Sequence, residues 1–169
     1  MKTSRPTMEE LKGEENRVQG RRRYYVWSTA FEVEDNYVLT RPVGRGAYGV
    51  VCAAKDLRTE ETRAVKKISQ VFLNLTDAKR TIREVKLLRH LKHKNVICIH
   101  DIMMPTDPEN MRDLYVVYEL MDTDLYQVLK SKQELTDEHT QYFIYQVSPS
   151  AARMKLECLH DGYGARTGS

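Results

Sequence analysis

The chain has 169 residues, of which 41% are hydrophobic and 30% charged, with a formal net charge of +3. That suits one domain of ordinary size and excludes a collagen-like or wholly disordered chain. No apolar run approaches the roughly eighteen residues of a membrane span, and residues 1–20 carry no apolar signal-peptide core. Three cysteines, Cys52, Cys98 and Cys158, are odd in number and widely spaced. They argue against a disulfide framework and for a reducing compartment. An intracellular protein of the cytoplasm and/or nucleus is expected, with no membrane partner. Residues 1–23 hold seven Lys/Arg and four Glu, and the rest of the chain holds twenty of each sign, so the whole excess sits at the N-terminus. Residues 1–23 therefore read as a flexible basic arm. No basic stripe with interleaved aromatics runs through the body of the chain, so no nucleic-acid partner is expected.

After the arm, residues 24–146 are well patterned. A β-prone stretch at 37–43 leads into a glycine cluster, then a strand over 50–54. A polar turn spans 56–61, and 62–68 reads as the next strand. Residues 77–91 form a clear helix, with Ala78, Ile82, Val85, Leu88 and Leu91 recurring at steps of three and four. Strands over 96–103 and 114–118 bring the count to five. Two shorter helices follow. The first, 124–131, carries Leu125, Val128 and Leu129 on one face. The second, 136–146, opens on a good N-cap with Asp137 and Glu138 in its first turn, and Pro149 is expected to stop it. Residues 147–169 form an unpatterned tail.

The first chemical motif is Gly44-Arg45-Gly46-Ala47-Tyr48-Gly49-Val50-Val51. Glycines at this spacing let backbone N–H groups approach phosphate oxygens. A dinucleotide-binding fingerprint needs a helix directly after the loop, whereas a strand follows here, so that reading is rejected. An ordinary glycine-containing hairpin remains open on the motif alone. Next comes Ala64-Val65-Lys66, a strand lysine able to neutralise phosphate charge if its stem is held. Glu84 lies close to the apolar stripe of the long helix and is a candidate to hold it. Taken singly, Lys66 reads as readily as a surface lysine beside Lys67, and Glu84 as a partner of Arg80 on its own helix. The order of the set, loop then lysine then helical glutamate, favours the phosphate site.

On these residues the chain resembles the eukaryotic protein kinases, and within them the mitogen-activated protein (MAP) kinases of plants and protists. Three stretches carry the resemblance: 43–52, 77–84, and Tyr115-Val116-Val117-Tyr118-Glu119-Leu120-Met121-Asp122-Thr123-Asp124-Leu125. The matching text runs from about Tyr37 to Gln146. The resemblance implies an α+β fold, the kinase small lobe with a five-stranded antiparallel sheet and one major helix, over 24–121 including the hinge. Residues 122–146 would begin the helical large lobe. It also implies roles at an ATP site. Gly44, Gly46, Tyr48 and Gly49 would cover the phosphates. Lys66 would hold the α- and β-phosphates and Glu84 would orient it. Val51 and Ala64 would sandwich the adenine, Glu119 and Met121 would meet its edge, and Asp124 would lie near the ribose. Tyr118 falls at the gatekeeper position. Arg63, where the family has valine, is expected to point outward.

The sequence contains no H-R-D-x-K-x-x-N, no D-F-G and no A-P-E, and so no T-x-Y activation motif between the last two. The catalytic base and the protein ligands of the family's Mg2+ are therefore not among these residues, and His160-Asp161-Gly162 is a chance echo. His90, His93, Cys98 and His100 are spread over a helix end and a strand and do not read as a zinc site. The expected function is that of a MAP-kinase-type serine/threonine kinase, with ATP, protein substrates and an upstream kinase as partners. The chain as written is expected to be truncated and inactive. The alternative is a non-catalytic fragment that binds nucleotide or partners and competes with a full-length kinase. Leu125, Val128, Leu129, Phe143 and Ile144 are expected to expose apolar surface.

Overall fold

The computed structural model describes residues 11–18, 20–46, 49–103 and 112–148. They fall into two compact units, one drawn from 1–81 and 99–120, the other from 82–98 and 121–169. The first unit holds two sheets. Strands β1 (Leu11–Val18), β2 (Arg21–Val26) and β3 (Thr29–Glu34) form one. Strands β4 (Tyr37–Gly46), β5 (Gly49–Asp56), β6 (Thr62–Ile68), β7 (Ile99–Met103) and β8 (Leu114–Glu119) form the other, in the order β4-β5-β6-β8-β7. Every neighbouring pair in it is antiparallel. The expected five-stranded antiparallel sheet with a helix is thus the observed architecture.

The smaller sheet corrects the reading of residues 1–23 as a flexible arm. Residues 11–18 and 21–23 lie in strands, while 1–10 lie outside the described residues. β2 and β3 show the period-two burial of a half-covered sheet: Tyr24, Val26, Phe31 and Val33 are buried and Tyr25 is exposed. Trp27 and Ser28 join them, with Val26 paired to Thr29. Both turn residues have positive φ, 46° and 64°, as a two-residue hairpin turn of the right twist requires. Neither residue is a usual choice there, and Trp27 is held by packing against the core. The arginines that suggested a solvated arm occupy the hairpin's flank, where Arg23 pairs with Glu32 directly across the strands.

The core lies between the two sheets. Val50, Cys52 and Ala54 of β5, Val65 of β6, and Tyr115 and Val117 of β8 form one cluster with Tyr24, Val26, Phe31 and Val33. These residues alternate along their strands, so they share one face, here called the inner face. Lys67 also lies on it and is buried, with an ion pair to Asp113 Oδ2 at 2.7 Å and a hydrogen bond donated to the Ala30 carbonyl. Burial pushes the Lys67 ammonium down in pKa, but Tyr115 and the Asp113 carboxylate outweigh it and leave it above the ordinary lysine value. The Tyr115 hydroxyl accepts from the Glu32 N–H at 3.0 Å, and its ring meets Phe31 edge to face. Lys67 and Tyr115 therefore both bond the backbone of β3 to the larger sheet.

A second polar cluster closes the β5–β6 turn. Tyr37 is fully buried, and its hydroxyl donates to Asp101 Oδ2 at 2.9 Å. Arg58 donates to that hydroxyl at 2.8 Å and pairs with both Asp56 and Asp101. Burial raises the Asp56 carboxyl, but the hydrogen bonds from Arg58 prevail and hold it below its ordinary value.

Helix α1 (Leu75–His90) starts where Asn74 Oδ1 accepts from the Thr76 N–H at 2.8 Å, with Asp77 in the first turn and Arg89 and His90 in the last. It buries Ala78 and Thr81, leaves Val85 and Leu88 half-buried and exposes Ile82. The expected stripe is thus kept at Ala78, Val85, Leu88 and Leu91 and departs from expectation only at Ile82. In the second unit, α2 (Leu125–Lys130) and a helix at 137–148 match the two short helices expected. The second of these continues through Ser148, and Pro149 lies outside the described residues. Leu125, Leu129 and Ile144 are exposed as expected, whereas Val128 and Phe143 are half-buried. No helix among the described residues is long and apolar enough to cross a membrane.

Ser28→Gly is expected to stabilise the chain by about 0.5–1 kcal/mol, because glycine adopts positive φ without strain; urea unfolding checks this. Burial pushes the Cys52 thiol up to about 12 from an ordinary 9.0, and its Sγ donates to the Arg41 carbonyl at 3.1 Å. A thiol raised in the folded state supports stability fully below its unfolded value and loses that support as pH rises from there toward the folded value. In the native protein, maleimide labelling read by mass spectrometry is expected to reach exposed Cys98 at pH 8 and spare Cys52 until the chain unfolds.

Candidate ATP site

The opposite, outer face of the five-stranded sheet gathers most of the residues singled out in the sequence. Strand register places Gly44 opposite Val51, Val51 opposite Lys66, and Lys66 opposite Val116, a single row across β4, β5, β6 and β8. A second row runs through Ala53, Ala64 and Tyr118. Val51 and Lys66 are half-buried, while Ala64 and Tyr118 are buried. Two small apolar side chains and one ammonium thus share a face beside the glycine hairpin. That combination suits a flat aromatic base joined to a polyanion.

The three glycines have different jobs. Among the described residues, a Cβ at Gly44 or Gly46 would meet nothing within 4 Å. The packing of the described residues therefore does not demand glycine there. Gly49 has φ +134°, and a Cβ on it would sit 2.0 Å from the Lys67 carbonyl oxygen. Its requirement is structural, because β5 passes too close to β6 there for any side chain. Tyr48 lies outside the described residues. Lys66 Nζ lies 5.8 Å from the centroid of the Tyr118 ring, a cation–π distance. The period-two alternation of β8, which puts 116 and 118 on the Lys66 face, was the signal for this contact.

The remaining candidates take their places separately. Glu119 ends β8, exposed and paired in register with Arg63. Arg63 itself does not point into open solvent. Its side chain is mostly covered, pairing with Glu61 and lying beside His100 Nε2. In the second unit, Glu84 is half-buried on α1 and Met121 is exposed. Asp124 is the N-cap of α2, accepting from the Gln127 N–H at 2.8 Å. The His/Cys set is dispersed. His90 contacts the Lys86 carbonyl, His93 accepts from the Asn95 N–H, and His100 sits against Arg63. Among the described residues no group of three or more His, Cys, Asp or Glu is placed to hold a metal ion.

A glycine hairpin, a strand lysine and small apolar residues thus share one sheet face, and the chain belongs to the protein kinase domain family, which matches residues 37–160. The match continues past Gln146, where the resemblance was expected to end, into part of the tail that carries no visible pattern. Within that family the chain is similar to plant MAP kinases. It is 54% identical over 129 residues to mitogen-activated protein kinase 4 of Oryza sativa subsp. japonica, covering 76% of this chain and 35% of the relative. To mitogen-activated protein kinase 7 of Arabidopsis thaliana it is 52% identical over 129 residues, with the same coverage of 76% and 35%. To mitogen-activated protein kinase 5 of Arabidopsis thaliana it is 56% identical over 125 residues, covering 73% and 33%. The chain thus spans about a third of the length of these relatives.

The two kinds of glycine separate by experiment. Gly49→Ala is expected to cost roughly 3 kcal/mol or more in urea unfolding, from backbone overlap and unfavourable φ together. Gly44→Ala and Gly46→Ala are expected to stay within about 0.5 kcal/mol of the parent in the same measurement.

Proposed function

We propose that this chain carries the nucleotide-binding part of a MAP-kinase-type serine/threonine kinase and binds ATP on the outer face of its five-stranded sheet. The observation that carries the reading is the row Gly44–Val51–Lys66, with no described residue within 4 Å of a Cβ placed at Gly44 or Gly46. In this reading the glycine hairpin offers backbone N–H groups to the phosphates, where a side chain would stand in the way. The Lys66 ammonium neutralises phosphate charge, and Val51 and Ala64 lie against the adenine. Glu84 orients Lys66, Glu119 and Met121 meet the adenine edge, and Asp124 lies near the ribose. The segments that hold magnesium in the family, D-F-G and the Asn of H-R-D-x-K-x-x-N, are not among the 169 residues.

ATP supplies the phosphoryl group in the family, and the acceptors of the whole kinase would be Ser/Thr hydroxyls of protein substrates, with an upstream kinase as activator. Phosphoryl transfer depends on positioning and on charge neutralisation around the γ-phosphate. With no H-R-D or D-F-G segment in the 169 residues, we propose that they transfer no phosphate on their own. A second reading, a module that competes with a full-length kinase for its partners, draws support from the exposed Leu125, Tyr126, Leu129, Tyr142, Ile144 and Tyr145.

ATP is expected to raise the melting temperature of the purified chain, and Lys66→Ala to weaken ATP binding by about ten- to hundredfold, the effect of losing a charged hydrogen-bonding partner. No shift with ATP in the parent would sink the nucleotide reading. Phosphate transfer from labelled ATP to a MAP kinase substrate would sink the claim of inactivity. Slower activation of a full-length relative on adding the chain is the outcome that the competing-module reading requires.

A further inference from the structure

β6 and β8 carry two lysine–tyrosine pairs on opposite faces. On the inner face Lys67 sits directly opposite Tyr115 in register, 5.5 Å from its ring centroid, and is fixed by Asp113. On the outer face the relation is diagonal. Lys66 pairs in register with Val116, and Tyr118, two residues on, presents its ring 5.8 Å from the Lys66 ammonium. Diagonal neighbours on one face of an antiparallel pair lie within reach of long side chains. Tyr118 is only 6% exposed, so its ring is a fixed surface, whereas Lys66 is half-buried on a flexible four-carbon stem.

We propose that Tyr118 is a positioning residue for Lys66, its ring face restricting where the ammonium stands on the outer face of the sheet. The proposal rests on the ATP reading above in that Lys66 is the group to be positioned for phosphate. It adds a holding element that belongs to the sheet itself. A lysine already held near its working position loses less side-chain freedom when an anion arrives. The attraction is between cation and ring face, so the phenol oxygen is not required and phenylalanine should serve.

The test uses the full 169-residue chain with its lysines reductively 13C-methylated, and the Lys66 resonance identified by its loss in Lys66→Arg. The expected result is a ring-current displacement of that resonance in the parent, kept in Tyr118→Phe and lost in the apolar but ring-free Tyr118→Met. In unmethylated protein, ATP affinity is expected to stay within about twofold in Tyr118→Phe and to fall about three- to tenfold in Tyr118→Met. A parent Lys66 resonance at the position of a free lysine overturns the proposal, and this measurement decides even if Tyr118→Met does not fold. Equal weakening by both variants, or none in Tyr118→Met, also overturns it. A parent that binds no ATP defeats the nucleotide reading instead, while the Lys66 resonance still decides the role of Tyr118.

Discussion

Lys66 and Lys67 are neighbours on one strand, and neighbours on a strand must face opposite ways. Lys67 goes inward, into the core between the two sheets, where burial of an ammonium is tolerable only with a charged and hydrogen-bonded partner. Asp113 supplies the charge and the Ala30 carbonyl accepts a hydrogen bond. Slipping β6 by one residue would leave Asp113 and that carbonyl facing the wrong side chain and move every apolar residue of the strand to the other face. The buried pair thereby fixes which way Lys66 points, and with it the composition of the outer face.

The smaller sheet belongs to the same arrangement. Its inward residues, Tyr24, Val26, Phe31 and Val33, cover the apolar face of β5, β6 and β8. Its backbone accepts from Lys67 and donates to Tyr115. The smaller sheet thus covers one side of the five-stranded sheet, and the glycine hairpin, Val51, Ala64 and Lys66 belong to the other. In the proposed reading, the residues that hold the smaller sheet and those that meet the nucleotide lie on opposite faces of a single sheet, and the alternation of side chains makes the division.

The five strands, the long helix and the outer-face residues were legible because each rests on a local signal: alternation, a three-to-four repeat, or glycines at fixed spacing. The β2–β3 hairpin was not. Three consecutive arginines resemble a solvated segment, and the turn that follows uses Trp27-Ser28 where Asn-Gly or Asp-Gly would have announced it. Ile82 looked like a core residue from spacing, yet it is exposed while Thr81 beside it is buried, since spacing gives the direction of a helix's covered stripe and not where its edges fall. Lys67 gave no sign of burial, because its partner Asp113 lies far along the chain and only the pairing of β6 with β8 brings them together.

The unequal standing of the three glycines reaches beyond this molecule. Position 49 answers to the Lys67 carbonyl, a demand of the polypeptide upon itself, whereas no described residue crowds 44 and 46. In a lineage that kept this fold but gave up its ligand, side chains could accumulate at 44 and 46 while 49 stayed closed to them. The order in which such a hairpin loses its glycines would therefore separate the history of what the protein binds from the history of how it folds.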